Sequence, residues 1–330
     1  MIITRTPFRM SFFGGGTDMK AFYEEHGGAV LSTTFDKYCY VNIRHLPRFF
    51  DYRTHLTYNR TECVNSVDEI EHPLIREAMK LLDIHEIRLL YDADLPARSG
   101  LGTSSSFAVG LLNAFYALKG KRVDSRRLAD EAIYLERELC REAGGIQDQI
   151  AAAFGGFNRI DMDRTGYRVT PVVMSNERKD ALNDRLMLFF TGFSRFSAAV
   201  QEKTEKSLGE KTKELLEMKA LVDKAEDILL SKTDLSEFGR LLDYTWQLKR
   251  GLSDGISTSA IDEVYAAAVK AGALGGKLLG AGGGGFLLFY VEPELQDRVR
   301  DALKELLYVP FRFETGGPQV IYYTAEDFQM

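Results

Sequence analysis

Cysteine is scarce: Cys39, Cys63 and Cys140 are the only three in 330 residues. An odd number without paired spacing indicates neither a disulfide framework nor a zinc site. The five histidines (His26, His45, His55, His72 and His85) show no H-x-x-x-H spacing, which argues against a transition-metal centre. Long apolar runs are missing too. The longest, such as Phe286–Val291, are strand-sized, and the N-terminus (MIITRTPFRMSFFGGG) has neither the apolar core nor the cleavage site of a signal peptide, so no membrane partner and a cytoplasmic location are expected. Net charge is −6 with no sustained basic block, which argues against a nucleic-acid partner, whose phosphates need a positive face.

What is present is ordinary globular composition, 45% hydrophobic and 27% charged, at a length that accommodates two domains. Apolar periodicity lapses in the polar segment Ser175–Asp184. This predicts an N-terminal domain over 1–178 and a C-terminal domain over 179–330.

Read in order, Ile2–Phe13 predicts a strand and Thr17–Asp18 the cap of a short helix ending at Gly27-Gly28. Val30–Leu46 and Tyr52–Tyr58 read as paired strands, Pro73–Leu82 as a helix and Glu86–Ala93 as a strand. Helices are predicted from Thr103, from Asp124 or Ser125 to near Gly144, and over Gln147–Phe154; strands over Gly155–Asp161 and Tyr167–Val173. After the strand Arg185–Thr191, helices dominate Ser197–Leu252 and Ser259–Ala271, with Glu202–Lys224 the solvated side of a long one. The end reads strand, glycine loop, strand (Phe286–Val291), helix (Glu294–Leu306) and two strands (Val309–Phe313, Gln319–Tyr323). This is α+β, without strict βαβ alternation.

The stretch Leu95–Ala114, LPARSGLGTSSSFAVGLLNA, carries the strongest functional signal. Small residues run directly into a helix, where unpaired N–H groups and the helix dipole favour a phosphate. Further glycine-rich turns lie at Phe13–Asp18, Gly144–Gln149 and Gly280–Gly285. The last satisfies G-x-G-x-x-G formally, but it leads into a strand instead of a helix, which rejects a dinucleotide fingerprint. Gly272–Leu278 fails as a P-loop because Leu278 stands where a magnesium-binding hydroxyl is required. Hydroxyls at Thr103–Ser106 and carboxylates at Glu136 and Asp148 are nevertheless the groups phosphoryl transfer needs.

Three segments in order resemble the signature motifs of the GHMP small-molecule kinases: Thr6-Pro7-Phe8-Arg9 through Thr17-Asp18, Pro96–Ser106, and Leu279–Gly284. The resemblance implies a two-domain fold, with an N-terminal domain like ribosomal protein S5 domain 2, a ferredoxin-like C-terminal domain, and an active site between them. It implies ATP and Mg²⁺ as cofactors. ATP would be held by Pro96, Arg98, Ser99, Gly100, Leu101, Gly102, Thr103, Ser104, Ser105 and Ser106. The metal would be held by Ser104 and Glu136, with Glu138 or Glu142 as alternatives to the latter. Asp148 and Arg9 are similar to the family's catalytic aspartate and motif-one arginine. Gly15, Gly16, Thr17, Asp18, Gly282 and Gly283 would bind substrate. The Phe-Gly-Gly-Gly-Thr-Asp form with Gln-Asp-Gln resembles enzymes that phosphorylate the anomeric hydroxyl of a heptose 7-phosphate; fucokinase-type enzymes are the alternative, and an inactive nucleotide- or sugar-binding regulator is the reading of a different class. The implied partners are a small sugar phosphate and ATP, with a homodimer left open. Arg195 and Lys249-Arg250 fall where a sugar phosphate's pocket could form, but read individually as surface charges.

Overall fold

The computed structural model describes residues 1–97, 99–192 and 211–325. Strand β1 (Ile2–Phe13) obeys the period of two: Phe8, Met10 and Phe12 are fully buried in a core cluster, while Arg9 and Ser11, out of phase with them, face a polar pocket. The 18-residue β2 (Gly28–His45) is the spine of the first sheet. β1 runs antiparallel along it from Ile2↔Ile43 to Phe13↔Leu31, and a register shift between Pro7 and Phe8 leaves Asp36 and Lys37 as a bulge immediately before Arg9.

The other edge of β2 is shared. β6 (Phe157–Asp163) takes its first residues, β12 (Phe313–Glu314) pairs at Thr34–Phe35, and β5 (Ile87–Ala93) takes the rest. β3 (Thr54–Thr57) lies beyond β5 and parallel to it, followed by β4 (Thr61–Val64). The stretches read as paired strands, 30–46 and 52–58, are therefore not neighbours. Alternation marks a strand but not its partner, and β5, arriving after helix α2 (Pro73–Leu81), takes the place between them.

Helix α3 (Thr103–Leu118) is apolar almost all round and buried accordingly. It lies flush on β1: a Cβ at Gly110 would stand 2.7 Å from Thr6 Oγ1, and Thr4 donates to the Gly110 carbonyl at 3.0 Å. Helix α4 (Ser125–Ile133) is capped by Asp124, whose carboxylate accepts from Arg127 N at 2.8 Å. It continues as a π-helical turn, Tyr134–Leu139, before α5 (Gln147–Phe154). β7 (Gly166–Pro171) pairs with β6.

The polar segment expected as a boundary is a helix, α6 (Asn176–Asn183), whose N-cap Ser175 accepts from Arg178 N and whose Leu182 is buried. One inward leucine in a polar run is too little periodicity to read. A second, antiparallel sheet follows in the order β11 (Leu307–Val309), β8 (Leu186–Phe190), β10 (Phe286–Tyr290), β9 (Gly275–Leu278). Helices α7 (Thr212–Leu230), α8 (Ser236–Arg250), α9 (Ser259–Ala271) and α10 (Gln296–Ala302) pack around it. The charged stretch 202–224 falls partly on α7, where Leu215, Met218, Leu221 and Val222 form the inner face; residues 202–210 lie outside the described residues.

The chain leaves the second sheet at Val309 and returns to the first, where β13 (Gln319–Tyr323) pairs with β1. The C-terminal strands therefore complete the N-terminal domain, and no single cut at residue 178 separates the two. A shared core joins them: Phe8, Phe12 and Phe13 of β1 sit with Val222 of α7, Phe238 of α8 and Phe286 of β10. Among the described residues, no helix is long and apolar enough to cross a membrane.

Candidate active site

The loop between β5 and α3 is shaped by glycine. Gly100 and Gly102 have φ of 82° and 70°, a left-handed conformation that side chains resist. Space forbids side chains here as well. A Cβ at Gly100 would stand 2.3 Å from the Leu279 carbonyl oxygen, one at Gly280 2.3 Å from Gly100 Cα, and one at Gly285 2.2 Å from the Ser99 carbonyl oxygen. Two glycine loops from different domains thus meet backbone to backbone. No side chain caps α3 at Gly102, so the opening turn of this 16-residue helix presents uncapped amides suited to an anion.

The predicted ATP ligands divide. Ser104 is exposed on that first turn, Ser99 and Thr103 are buried at the loop, Leu101 is core, and Pro96 is exposed ahead of it. Arg98 lies outside the described residues. Ser106 is committed to the backbone: its N–H donates to Gly102 O at 2.9 Å and its hydroxyl to Pro7 O at 3.0 Å. Ser105 turns its hydroxyl inward to Glu136 Oε2 at 2.7 Å.

Arg9 ties three elements together. Its Nε and Nη2 donate to the two oxygens of Asp148 at 2.7 and 2.6 Å, and its Nη1 donates to Gly100 O at 2.8 Å. The bidentate pair fixes the carboxylate in the first turn of α5, and its side chain remains 23% exposed to the pocket where that of Arg9 is 5% exposed. Asp18 is buried beside it, accepting from Gly16 N at 3.0 Å and Gln147 N at 3.2 Å. Burial raises its pKa, the Asp148 charge adds to that, and the two amides oppose it.

Gly145 makes room for Asp18: a Cβ there would stand 1.8 Å from Asp18 Oδ2. Gly145→Ala is therefore expected to displace the Asp18 carboxylate and lower kcat/KM for the acceptor by at least ~10-fold, roughly the worth of one charge-assisted hydrogen bond. Steady-state kinetics with acceptor and ATP varied separately check this, the KM for ATP staying unchanged.

Thr17 is bound into its own turn. Its amide donates to Gly14 O, and its hydroxyl lies between Gly14 O, Ala29 O and Ala29 N, so it holds the turn together. Gly15 and Gly16 do line the pocket. Gly282 and Gly283 do not: they back onto Ile256, Gly283 N donating to its carbonyl at 3.0 Å, and Gly280 and Ala281 line the pocket in their place.

Glu136 sits in the π-helical turn, 1% exposed. Its Oε2 accepts from Ser105 and from the Gln149 amide, and burial raises its pKa while Arg137 and the hydroxyls of Ser105 and Ser104 draw it back. Glu138 and Glu142 are both exposed. Among the described residues, no cluster of three His, Cys, Asp or Glu side chains could hold a metal. A single buried carboxylate beside an exposed serine hydroxyl is nevertheless a hard-oxygen pair, which fits a divalent ion completed by phosphate and water.

Polar side chains outside the expected site set also line the pocket: Ser11, Arg137, Gln147, Lys277, and Lys249, the last named from sequence where a sugar phosphate's pocket could form. Ser11 Oγ and Gln147 Oε1 are buried there without a partner. Lys249, read as a surface charge, is 8% exposed, and the spacing carried the signal: it continues the buried stripe Phe238, Leu242, Thr245, Trp246 of α8. Arg250 turns away to Asp262 at 2.7 Å, and Arg195 lies outside the described residues. Ser11 follows Arg9 by two in a strand and was legible on the same ground. Lys277 is one cation in an otherwise apolar buried strand.

Comparison with known proteins decides the family. The model of the GHMP kinases N-terminal domain matches residues 70–156 and that of the GHMP kinases C-terminal domain matches 226–309, together just over half of the chain. The chain belongs to the GHMP kinase family. As a GHMP kinase it is a phosphotransferase that uses ATP and acts on a hydroxyl. It is 29% identical to a D-glycero-alpha-D-manno-heptose 7-phosphate kinase of Campylobacter jejuni over 336 aligned positions, 96% of this chain and 97% of that protein. An L-fucokinase/L-fucose-1-P guanylyltransferase of Bacteroides fragilis is 31% identical over 67% of this chain, which spans 24% of that longer protein. Among solved structures, a D-glycero-D-manno-heptose 1-phosphate kinase of Bacteroides thetaiotaomicron superposes with a TM-score of 0.79 at 26% identity, covering 98% of this GHMP kinase and 100% of that chain.

Proposed function

We propose that this kinase transfers the γ-phosphoryl of ATP to the anomeric hydroxyl of D-glycero-D-manno-heptose 7-phosphate, giving the 1,7-bisphosphate. The observation that carries the reading is the Asp148 carboxylate, clamped by Arg9 against the phosphate loop and open to a pocket with unpartnered polar atoms. Similarity to a heptose-phosphate kinase along nearly the whole chain supports the choice of sugar, and Gly15 and Gly16 line the pocket without side chains.

In this mechanism Asp148 takes the proton of the anomeric hydroxyl as its oxygen attacks the γ-phosphorus, and the bond to the bridging oxygen of ADP breaks. An anomeric hydroxyl is more acidic than an ordinary alcohol, so a carboxylate suffices as base. Arg9 holds the carboxylate in place through the two-point contact and stabilises charge on the transferring group. Asp18, Ser11 and Gln147 bond sugar hydroxyls; each has a polar atom buried at the pocket. Ser104 and Glu136 would hold Mg²⁺, which when bound neutralises phosphate charge.

A coupled assay for ADP with heptose 7-phosphate, fucose, galactose and mannose offered in parallel tests the reading. Turnover is expected with heptose 7-phosphate. Turnover with fucose alone would transfer the assignment to a fucokinase, and tight ATP binding without turnover on any sugar would mark a regulator.

A further inference from the structure

The acceptor pocket has more positive than negative side chains, Arg9, Arg137, Lys249 and Lys277 against Asp18 and Asp148. Two of the cations, the arginines, are each committed to neighbours through three of their five N–H donors. Arg9 is bonded to Asp148 and Gly100, and the Arg137 guanidinium donates to the carbonyls of Glu142, Ala143 and Gly145 at 3.0, 3.0 and 3.1 Å. Lys277 donates to the carbonyls of Ser11 and Phe12 at 2.8 and 2.7 Å, bridging β9 to β1.

Lys249 has the same kind of neutral partners but lies within reach of the Asp18 and Asp148 charges at the pocket. It reaches the pocket from α8, donates to Leu278 O at 3.1 Å and to Gly280 O, and among the described residues no carboxylate touches its ammonium. An ammonium has three donors, and two neutral carbonyls leave both a donor and the charge unmatched in a buried position. Burial and the Arg9 charge depress its pKa to about 8, against the pull of Asp18 and Asp148. The missing partner is an anion. None of the described residues of the loop 96–106 lines this pocket, so that anion is assigned to the acceptor and not to the nucleotide tail.

We infer that Lys249 selects the acceptor by its phosphoryl group, its ammonium bonding the phosphoryl oxygens of a sugar phosphate. The inference deepens the sugar-kinase reading and rests on it. The chemistry recognised is a phosphoryl group, and two sources exist: the acceptor's own phosphate, to which we assign the contact, and the γ-phosphoryl in flight.

The test compares kcat/KM for heptose 7-phosphate and for the same heptose without its phosphate in wild type, Lys249→Met, Lys249→Gln and Lys249→Arg. Calorimetric titration of heptose 7-phosphate gives a readout independent of turnover, and thermal melting confirms folding; Gln keeps a donor for the carbonyls should Met disturb them. Wild type is expected to prefer the phosphorylated sugar. Met and Gln should lose about 10- to 100-fold more on the phosphorylated acceptor than on the free one, chiefly through KM, as removal of a charge-assisted hydrogen bond predicts, and Arg should retain part of the preference. Equal losses on both acceptors, carried by kcat, would overturn the assignment in favour of the transferring phosphoryl, and no loss on either would leave Lys249 a structural tie. Wild type that phosphorylates only neutral sugars would also overturn it, with the kinase reading intact. Wild type inactive on every sugar would end the kinase reading, and undiminished binding of heptose 7-phosphate by Lys249→Met would then end this one.

Discussion

Asp148→Asn is expected to lower kcat by about 10²- to 10⁴-fold, the range for removal of a positioned general base, with ATP affinity unchanged. The amide has nearly the volume of the carboxylate and can still accept one bond from Arg9, so α5 should remain seated. What it loses is the capacity to take the hydroxyl proton and one of the two oxygens that meet Arg9 at 2.7 and 2.6 Å. Isothermal titration with ATP separates the two effects, because the nucleotide contacts assigned to the loop do not involve residue 148. Turnover within a fewfold of wild type would remove Asp148 as the base and leave the pair a clamp between β1 and α5. A fall in ATP affinity parallel to the fall in kcat would instead show that Arg9, released from its partner, had let go of Gly100 and distorted the loop.

The elements of this site that were legible in the sequence are those whose reason is local. The small-residue loop and the start of α3 at Thr103 follow from residues adjacent in the chain, and so does α5, whose first turn holds Asp148. What brings Arg9 to Asp148, 139 positions away, is a sheet register and a bulge, neither of which alternation in β1 encodes. For the same reason 30–46 and 52–58 were paired wrongly: their neighbour β5 is chosen by which apolar faces meet across the sheet. The glycines of the Gly280–Gly285 loop pack tightly on Ser99 and Gly100, a structural reason that only the contact between domains reveals. Lys249 was misread for the opposite reason, since its helical spacing did place it inward and only the habit of assigning lysine to the surface spoke against it. The Ser106 and Thr17 hydroxyls bond backbone carbonyls, a turn-building role that the motif positions alone do not reveal.

Glu136→Gln should raise the Mg²⁺ concentration needed for half-maximal rate by at least ~10-fold, as expected for loss of an anionic ligand from a site with few protein oxygens, without lowering the melting temperature of the metal-free protein. Glutamine can accept the bonds that Ser105 and Gln149 give to one oxygen of Glu136. It does so without the desolvation that raises the pKa of the native carboxylate, which lies 1% exposed with neutral donors as its direct partners. An isosteric neutral group is therefore no burden to the fold, whereas a divalent ion loses its one buried anionic partner. Ser104→Ala, at the exposed first turn of α3, should shift the same metal titration in the same direction by less, because a hydroxyl contributes no charge. Titrating activity with Mg²⁺ at fixed ATP, alongside melting curves in chelator, separates these expectations. An unchanged metal requirement together with a lower melting temperature in Glu136→Gln would make Glu136 the structural anchor of Ser105 and Gln149, and would leave the metal to be bound by the nucleotide's phosphates and by groups other than this pair.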